Sequence, residues 1–221
     1  MLRLLVFGCN TDVGKTVVSA GLMRALSKVT DGRALYIKPL QTGAALGHCD
    51  SRTVLEACKG QVATKTLFAW DEPVSPHIAA AGNYPPSDEE TCNAINSALD
   101  PESCCLIETA GGVLSPGASG TPQADMYQQM KYPTVLVGDS KLGGISTTLT
   151  ALECLGRRGY DVQRIIFINH TTSLGNAEYV TRKGIPVDVL PSLPPLPISL
   201  DQWHTANEKH FENIIAGFHS K

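Results

Sequence analysis

The stretch Gly8–Thr16, which reads GCNTDVGKT, decides how this sequence folds. The apolar run Leu4–Phe7 comes directly before it and has the length of a buried strand. After the stretch, apolar residues at helical spacing predict one buried helix face: Val18, Leu22, Ala25 and Val29. A glycine-rich turn between a strand and a helix is typical of a phosphate-binding loop, because backbone N–H groups and the helix dipole favour an anion there.

Two side chains of this loop suit phosphates and a metal ion. Lys15 can reach the outer phosphates of a nucleotide, and the Thr16 hydroxyl can ligate Mg²⁺. The usual pattern places four residues between the first glycine and Gly-Lys, whereas five separate Gly8 from Gly14. A chance Gly-Lys-Thr in a surface turn is the alternative, but strand, loop and helix follow in the order that phosphate binding requires.

Composition limits the class of protein. The chain has 221 residues, 43% hydrophobic and 18% charged, and we expect one domain over residues 1–221. The net charge of −3 gives no reason to expect nucleic acid as a partner, and no apolar run is long enough to span a membrane. Seven cysteines without C-x-x-C spacing argue against a disulfide framework or a zinc site. Because the first strand starts at residue 2 and leaves no room for a leader, we expect a cytoplasmic location.

Strands and helices alternate along the rest of the chain. Further strands are predicted at Arg33–Lys38 (stopped by Pro39), Lys65–Trp70, Cys104–Glu108, Pro133–Gly138, Arg164–Asn169 and Pro186–Leu190. Helices are predicted at Ser51–Lys59, from the capping box Ser87–Glu90 to Leu99, around Ile145–Leu152, and at Leu174–Lys183 and His204–Phe218. This order predicts a three-layer α/β fold of the P-loop NTPase type, with a mostly parallel sheet and helices on both faces.

Candidate chemical residues collect at the predicted carboxyl ends of the strands, where such sheets bind ligands. Glu108 is placed like an acidic residue that meets Mg²⁺, and Asp50 is a second candidate unless it is only a solvated helix cap. Lys38 could neutralise a transferring phosphoryl group or hold an anionic substrate, with a surface lysine as the alternative. Asn169 could read an adenine edge or simply form a turn. His77 could be a base, although a histidine packed at a helix start is favoured.

A series of ordered motifs resembles dethiobiotin synthase. The loop of that family reads Gly-Thr-Asp-Thr-x-Val-Gly-Lys-Thr with the same five intervening residues, and Cys9 and Asn10 replace its Thr-Asp pair here. Further motifs of the family match Lys38–Gly43, Asp50, Ser75–His77, Glu108–Gly112, Lys141–Gly143, Asn169 and Pro191–Leu193. The resemblance covers roughly residues 2–195. The amino-acid sequences of two segments also resemble the synthase part of eukaryotic bifunctional proteins, in which the synthase is fused to a diaminopelargonate aminotransferase.

The resemblance implies an activity and its partners. The expected reaction joins 7,8-diaminononanoate and CO₂ (or bicarbonate) to dethiobiotin while ATP gives ADP and phosphate, with Mg²⁺ as cofactor. A carbamate and a carbamic–phosphoric anhydride are the expected intermediates. The resemblance also implies a homodimer with the substrate site at its interface. A fused aminotransferase domain in the native product is allowed, and a mitochondrial location would then replace the cytoplasmic one.

The resemblance also assigns roles to individual residues. Catalysis is expected from Lys38, Lys15 and Thr11, and metal ligation from Thr16, Asp50 and Glu108. Nucleotide contacts are expected from Asp12, Val13, Gly14, Lys15, Thr16, Val17, Glu108, Asn169, Pro191 and Leu193. Substrate contacts are expected from Thr11, Lys38, Thr42, Gly111 and Gly112, and, from the partner subunit, at a helix start formed by Leu142, Gly143 and Ser146.

Two other functions remain open from the sequence. One is a cobyrinate-synthase or MinD-type ATPase, but that class carries an extra lysine early in the loop, where this chain has Cys9 and Asn10. The other is a nucleotide-dependent binding module or switch, against which a catalytic Lys38 counts.

Overall fold

The computed structural model describes residues 1–47, 49–82, 84–170, 174–194 and 200–219. Seven strands lie within these ranges and all belong to one sheet. Numbered in chain order, they are β1 (Arg3–Gly8), β2 (Ala34–Gln41), β3 (Ala63–Ala69), β4 (Cys104–Gly112), β5 (Thr134–Val137), β6 (Val162–Ile168) and β7 (Val187–Leu190).

The helices alternate with these strands. They are α1 (Lys15–Val29), α2 (Asp50–Ala57), α3 (Pro76–Ala79), α4 (Asp88–Ala98), α5 (Gln123–Met126), α6 (Gly144–Arg157), α7 (Asn176–Thr181), α8 (Leu200–Ala206) and α9 (Glu208–His219). Short 3₁₀ turns lie at Ala44–Leu46 and Gln128–Met130. Among the helices just given, none combines the length and the apolar content that crossing a bilayer requires.

The sheet is parallel at every strand pairing, in the order β3-β2-β4-β1-β5-β6-β7. Because β1 lies between β4 and β5, the loop that follows β1 opens at the centre of the carboxyl edge. The predicted fold class is therefore confirmed, and the candidate residues at strand ends share one edge of the molecule.

Helices cover both faces of the sheet. On β1, Leu4 and Val6 pack with α1, α8 and α9 in one buried cluster. The alternate residues Leu5 and Phe7 pack on the opposite face, in a cluster that includes α4 to α7. Because alternate residues of Leu4–Phe7 are buried on opposite faces of the sheet, the sequence shows a continuous hydrophobic run there rather than an alternating one.

Two strands extend beyond their predicted ends. β2 continues through Pro39 to Gln41, because its pairing with β4 ends at Ile37 while Leu40 still pairs with β3. Proline therefore sits where the strand has lost one neighbour. β4 continues past Glu108 to Gly112, since a register shift lets Gly8 pair with Gly112 after Val6 pairs with Glu108. Such a bulge depends on how the strand pairs with its neighbour, so the sequence of β4 by itself does not predict the extension.

The helix predictions were wrong in three details. Val29 is 61% exposed, so the buried face of α1 ends earlier than predicted. The region 204–218 forms two helices, separated where Asn207 donates its side-chain amide to the carbonyl oxygen of Trp203. The helix predicted at 174–183 is the shorter α7. By contrast, the capping box Ser87–Glu90 is confirmed at the start of α4.

Candidate active site

The loop between β1 and α1 requires glycine at two points. Gly14 caps α1 with a φ of 92°, and a Cβ on it would lie 2.5 Å from Ile168 Cδ1. A Cβ on Gly8 would lie 2.8 Å from the carbonyl oxygen of Asn10. Lys15 Nζ donates to that same carbonyl oxygen at 3.2 Å, so the lysine folds back along the loop. The loop therefore places a cation beside the unpaired N–H groups of a helix start.

A buried ionic network lies next to this loop. Lys38 on β2 is only 3% exposed, and its Nζ lies 2.6 Å from Asp50 Oδ2 and 2.9 Å from Glu108 Oε1. The same ammonium donates to the carbonyl oxygen of Thr109 at 3.1 Å. Thr16 donates its hydroxyl to Glu108 Oε1 at 3.0 Å. Lys38 is thus no surface lysine, and Asp50 is no solvated cap but faces the network from the first residue of α2.

The charges of the network stabilise one another. Burial alone would lower the pKa of Lys38, but the carboxylates of Glu108 and Asp50 outweigh it, so this pKa is raised. Burial would raise the pKa of Asp50, but the Lys38 ammonium and the Thr16 hydroxyl hold this pKa below its ordinary value. Burial and the positive charge of Lys38 both lower the pKa of Lys15. Lys38 therefore stays charged and tightly paired, while Lys15 is the cation that an incoming anion would stabilise most.

Tyr36 belongs to the network although the sequence did not single it out. Its side chain is completely buried, and its hydroxyl donates to Glu108 Oε2 at 3.0 Å. Burial, reinforced by the negative charge of Glu108, raises the pKa of Tyr36 well above its ordinary value, so the phenol remains a donor. Residues i and i+2 of a strand share a face, and that spacing from Lys38 was the signal that could have identified it.

Two cavities meet at the loop, with Asp12 and Gly14 lining both. The first, here the lysine cavity, encloses about 310 Å³ and contains the ionic network. The second, here the asparagine cavity, encloses about 230 Å³ and includes Asn169 at the end of β6. The lysine cavity is lined by Thr11, Asp12, Gly14, Lys15, Thr16, Val17, Lys38, Leu40, Gln41, Thr42, Asp50, Glu108, Ala110 and Gly111. The asparagine cavity is lined by Asp12, Val13, Gly14, Asp139, Ser140, Lys141, Ile168, Asn169, His170, Ser192 and Leu193.

Most of the predicted site residues line one of these cavities. The residues expected to contact phosphates, metal and the diamine lie in the lysine cavity, with two exceptions. Val13 lines the asparagine cavity instead, and Gly112 donates its N–H to Ser115 Oγ at 2.8 Å. Asn169 and Leu193, expected at the nucleobase, line the asparagine cavity, whereas Pro191 does not. The sequence missed Gln41, whose side chain accepts the N–H of Asp50 at 3.1 Å and steadies the start of α2.

The remaining predicted residues lie apart from both cavities. Leu142 is 92% exposed at the turn before α6, and Gly143 and Ser146 are exposed beside it. This chain therefore does not bring them to its own site. His77 was predicted to be packed, but it is exposed, with Nδ1 2.9 Å from Ser75 Oγ, and it does not line either cavity.

Helix α8 links the two cavities from outside. Trp203 donates its indole N–H to the carbonyl oxygen of Ser192, which lines the asparagine cavity, at 3.2 Å. The next residue, His204, is completely buried and places Nε2 2.9 Å from the carbonyl oxygen of Val17, which lines the lysine cavity. We call this pair of contacts the α8 clasp. Its residues lie far from the loop in sequence, so no local pattern predicts the contacts.

Comparison with known proteins gives relatives over most of the chain. Residues 2–202 match a family described as an AAA domain. Over 208 residues the chain is 41% identical to a bifunctional dethiobiotin synthetase/adenosylmethionine-8-amino-7-oxononanoate aminotransferase of Emericella nidulans, covering 89% of this chain and 26% of that protein. It is 33% identical over 195 residues to an ATP-dependent dethiobiotin synthetase of Corynebacterium diphtheriae, covering 85% of this chain and 86% of that one.

A plant relative and two solved structures complete the comparison. The mitochondrial bifunctional dethiobiotin synthetase/7,8-diamino-pelargonic acid aminotransferase of Oryza sativa is 35% identical and covers 98% of this chain. The chain spans about a quarter to a third of the length of the bifunctional relatives it matches. The MinC:MinD complex of Aquifex aeolicus and a ParA family ATPase of Chlorobium tepidum each have a TM-score of 0.62 at 14% and 12% identity, and cover 98% of this chain. The matched regions cover 93% of the first solved chain and 98% of the second. At these identities the two structures show the fold alone.

Proposed function

Since the chain belongs to the dethiobiotin synthetase family of AAA domains, we propose that it closes 7,8-diaminononanoate and CO₂ to dethiobiotin with ATP. The observation that supports this most is Lys38, an ammonium buried between Asp50 and Glu108 beside the phosphate-binding loop. A lysine fixed there can pair with an anionic substrate and with the phosphoryl group that it receives.

The reaction has three balanced steps. One amine of the substrate attacks CO₂, forming a nitrogen–carbon bond and losing a proton, which leaves a carbamate. A carbamate oxygen then attacks the γ-phosphorus of ATP, and ADP leaves with the electron pair of the broken bond. The second amine attacks the carbonyl carbon, loses a proton and expels phosphate, which closes the cyclic urea.

The lysine cavity supplies positioning and electrostatic stabilisation for these steps. Lys15 pairs with the outer phosphates, whose negative charge offsets the burial and the neighbouring Lys38 ammonium that lower its pKa. Lys38 pairs with the carbamate and the transferring phosphoryl group. Thr11 and Thr42, with the backbone at Gly111, orient the diamine end, since these residues line the same cavity as Lys15 and Thr16.

The same cavity suits Mg²⁺. Thr16, Asp50 and Glu108 offer hard oxygen donors, and Lys38 already shows that a cation is stable between the two carboxylates. In the described part of the chain, no cluster of three His, Cys, Asp or Glu side chains could hold a metal. When bound, Mg²⁺ would neutralise charge on the phosphoryl oxygens.

The asparagine cavity would take the nucleobase. Asn169 offers a donor and an acceptor to an adenine edge, and Leu193 provides an apolar wall with Pro191 nearby in sequence. Asp12, Val13 and Gly14 run between the cavities, so a nucleotide can place its base on one side of the loop and its phosphates on the other.

The proposal includes a homodimer. Leu142, Gly143 and Ser146 are exposed at the start of α6, a helix of 14 residues whose first N–H groups suit a carboxylate. In the dimer this turn reaches the substrate of the partner subunit. Residues 1–221 act as one synthase domain, joined to an aminotransferase if the native product resembles the bifunctional relatives. The location is cytoplasmic, or mitochondrial in such a fused product.

One coupled assay tests the function. The purified chain is given ATP and Mg²⁺ with the diamine, with ¹³C-bicarbonate, with both or with neither, and phosphate release is followed together with ¹³C in the product. We expect release only with both, and the label in the urea carbonyl. Equal release without the diamine would contradict the proposal and favour a MinD-type ATPase. Binding of ATP without any turnover would favour a binding module.

A further inference from the structure

Glu108 is held from both sides inside the sheet. Its side chain is completely buried, and Oε1 accepts hydrogen bonds from Thr16 at 3.0 Å and Lys38 at 2.9 Å. Oε2 points the other way and accepts a hydrogen bond from the hydroxyl of Tyr36 at 3.0 Å. One carboxylate oxygen is thus directed at the lysine cavity, and the other is directed into the protein interior.

Tyr36 is placed to decide which oxygen faces the cavity. It lies two residues before Lys38 on β2, so one strand contributes donors to both oxygens of Glu108. β2 pairs with β4 up to Ile37, which lies opposite Ile107, the residue before Glu108. This pairing fixes the distance between the side chains of Tyr36 and Glu108. Without the hydroxyl, Oε2 would lose its donor in the interior, and the carboxylate would gain by rotating toward Lys38.

We infer that Tyr36 is a positioning residue that holds Glu108 in the rotamer needed to bind the magnesium ion of the nucleotide complex. The inference rests on the proposed function only in taking Glu108 as a metal ligand. Partners that orient a ligating carboxylate commonly change metal affinity by 10- to 100-fold when they are removed.

A purely structural role is the competing explanation, and the chain provides a matched control. Tyr127 is also completely buried, but its hydroxyl has no hydrogen-bond partner among the described residues. Tyr36→Phe and Tyr127→Phe therefore remove the same atom from equally buried rings. They differ in whether that atom donates to Glu108.

The decisive experiment compares ATP binding by both variants and the wild type, using calorimetry with and without Mg²⁺. For Tyr36→Phe we expect the Mg²⁺ concentration that produces half of the maximal change in ATP affinity to rise by roughly ten-fold or more. The ATP affinity measured in the absence of Mg²⁺ should stay unchanged. The Mg²⁺ requirement of phosphate release should shift by the same factor. Tyr127→Phe should match the wild type in both measurements.

An unchanged Mg²⁺ response of a folded Tyr36→Phe would overturn the inference, and so would an equal loss of ATP affinity with and without Mg²⁺. Should this variant not fold, 3-fluorotyrosine at position 36 keeps the ring and hydroxyl while changing the strength of the hydrogen bond. A shifted Mg²⁺ response at position 36 but not at 127 supports the role, and no shift overturns it. Because binding is measured without the diamine, the result stands even if diamine-dependent turnover fails.

Discussion

The lysine cavity and the asparagine cavity are built in different ways. In the first, charged side chains project from central strands and are buried among one another: Lys38 from β2 and Glu108 from β4, with Asp50 added by α2. In the second, loops after β5, β6 and β7 supply most of the wall, and many of their contacts are made by backbone groups. Asn176, for example, donates to the carbonyl oxygens of Asp139 and Lys141 at 2.8 Å each.

This difference separates chemistry from recognition. Charged groups fixed on strands need little rearrangement when a phosphoryl group is transferred, which is the condition for electrostatic stabilisation of a transition state. A wall of loops and backbone groups is adequate for holding a nucleobase, and the α8 clasp steadies it from outside. Changes in the lysine cavity should therefore lower kcat, and changes around the asparagine cavity should raise the KM for ATP.

The largest effect is expected for Lys38→Gln. The neutral amide keeps one donor but leaves two carboxylates without a cation, so turnover should fall by at least about 10³-fold. Breaking the buried pair should also lower the free energy of unfolding by about 3 kcal/mol. Steady-state phosphate release and chemical denaturation measure the two effects. ATP binding should stay largely intact.

The control for this prediction lies on the adjacent strand. Lys65 on β3 is exposed and donates to the carbonyl oxygen of Ala98 at 3.4 Å. Lys65→Gln should leave both turnover and stability unchanged. If Lys38→Gln retained wild-type turnover, the role proposed for this ammonium would be wrong.

Next in size is Gly14→Ala, which tests the residue shared by both cavities. A Cβ there combines a left-handed φ of 92° with a 2.5 Å approach to Ile168 Cδ1, which lines the asparagine cavity. The loop would have to shift to relieve about 1–3 kcal/mol of strain, which moves its N–H groups away from the phosphates, so ATP affinity should fall by about 5- to 150-fold. Gly156→Ala is the control, because nothing lies within 4 Å of a Cβ in that turn of α6. It should stabilise the protein by up to about 1 kcal/mol. Equal ATP affinities of the two variants, measured by calorimetry, would contradict the shared role.

The sequence predicted the features that depend on local pattern. Apolar runs located every strand, and the glycines with Gly-Lys-Thr located the loop. Lys38 and Glu108 were identified by their positions at the ends of strands, whereas Asp50 stayed open between a metal ligand and a helix cap until the family resemblance favoured the ligand. What joins them into one network is the order of β2, β4 and β1 in the sheet, which the strand pattern alone does not specify.

The features that the sequence did not predict depend on contacts across the chain. The extension of β4 past Glu108 arises from its register with β1, and the contact between Tyr36 and Glu108 joins residues 72 positions apart. The α8 clasp is more distant still, since His204 meets Val17 across 187 positions. A buried histidine or tryptophan looks like ordinary core in a sequence until its partner is known.

A smaller effect should follow from Trp203→Phe, which removes one contact of the clasp. The lost hydrogen bond to Ser192 should raise the KM for ATP about five-fold, corresponding to roughly 1 kcal/mol, with kcat within about two-fold of the wild type. Trp70→Phe is the control, since Trp70 packs in the cluster on the other face of the sheet. A fall in kcat with an unchanged KM would show that the clasp serves the lysine cavity instead.

The smallest effect is a pH dependence of stability from the other contact of the clasp. Burial, with a further contribution from the positive charge of Arg24, lowers the pKa of His204 below its ordinary value near 6.5. Below about pH 6.5 the unfolded chain therefore binds a proton that the folded protein does not. The free energy of unfolding should fall with decreasing pH, by at most about 1.4 kcal/mol per pH unit from this residue.

His204→Gln isolates that contribution, because the amide keeps a donor for Val17 but does not titrate. Plotted against pH, the free energies of unfolding of wild type and variant should run parallel above about pH 7.5 and converge as the pH falls below 6.5. If the difference in the free energy of unfolding between wild type and variant did not depend on pH, His204 would accept the proton in the folded protein as readily as in the unfolded chain. Asp50 keeps its charge through this range because its pKa is lowered, so the ion pair between Lys38 and Asp50 does not contribute to the pH dependence near pH 6.5.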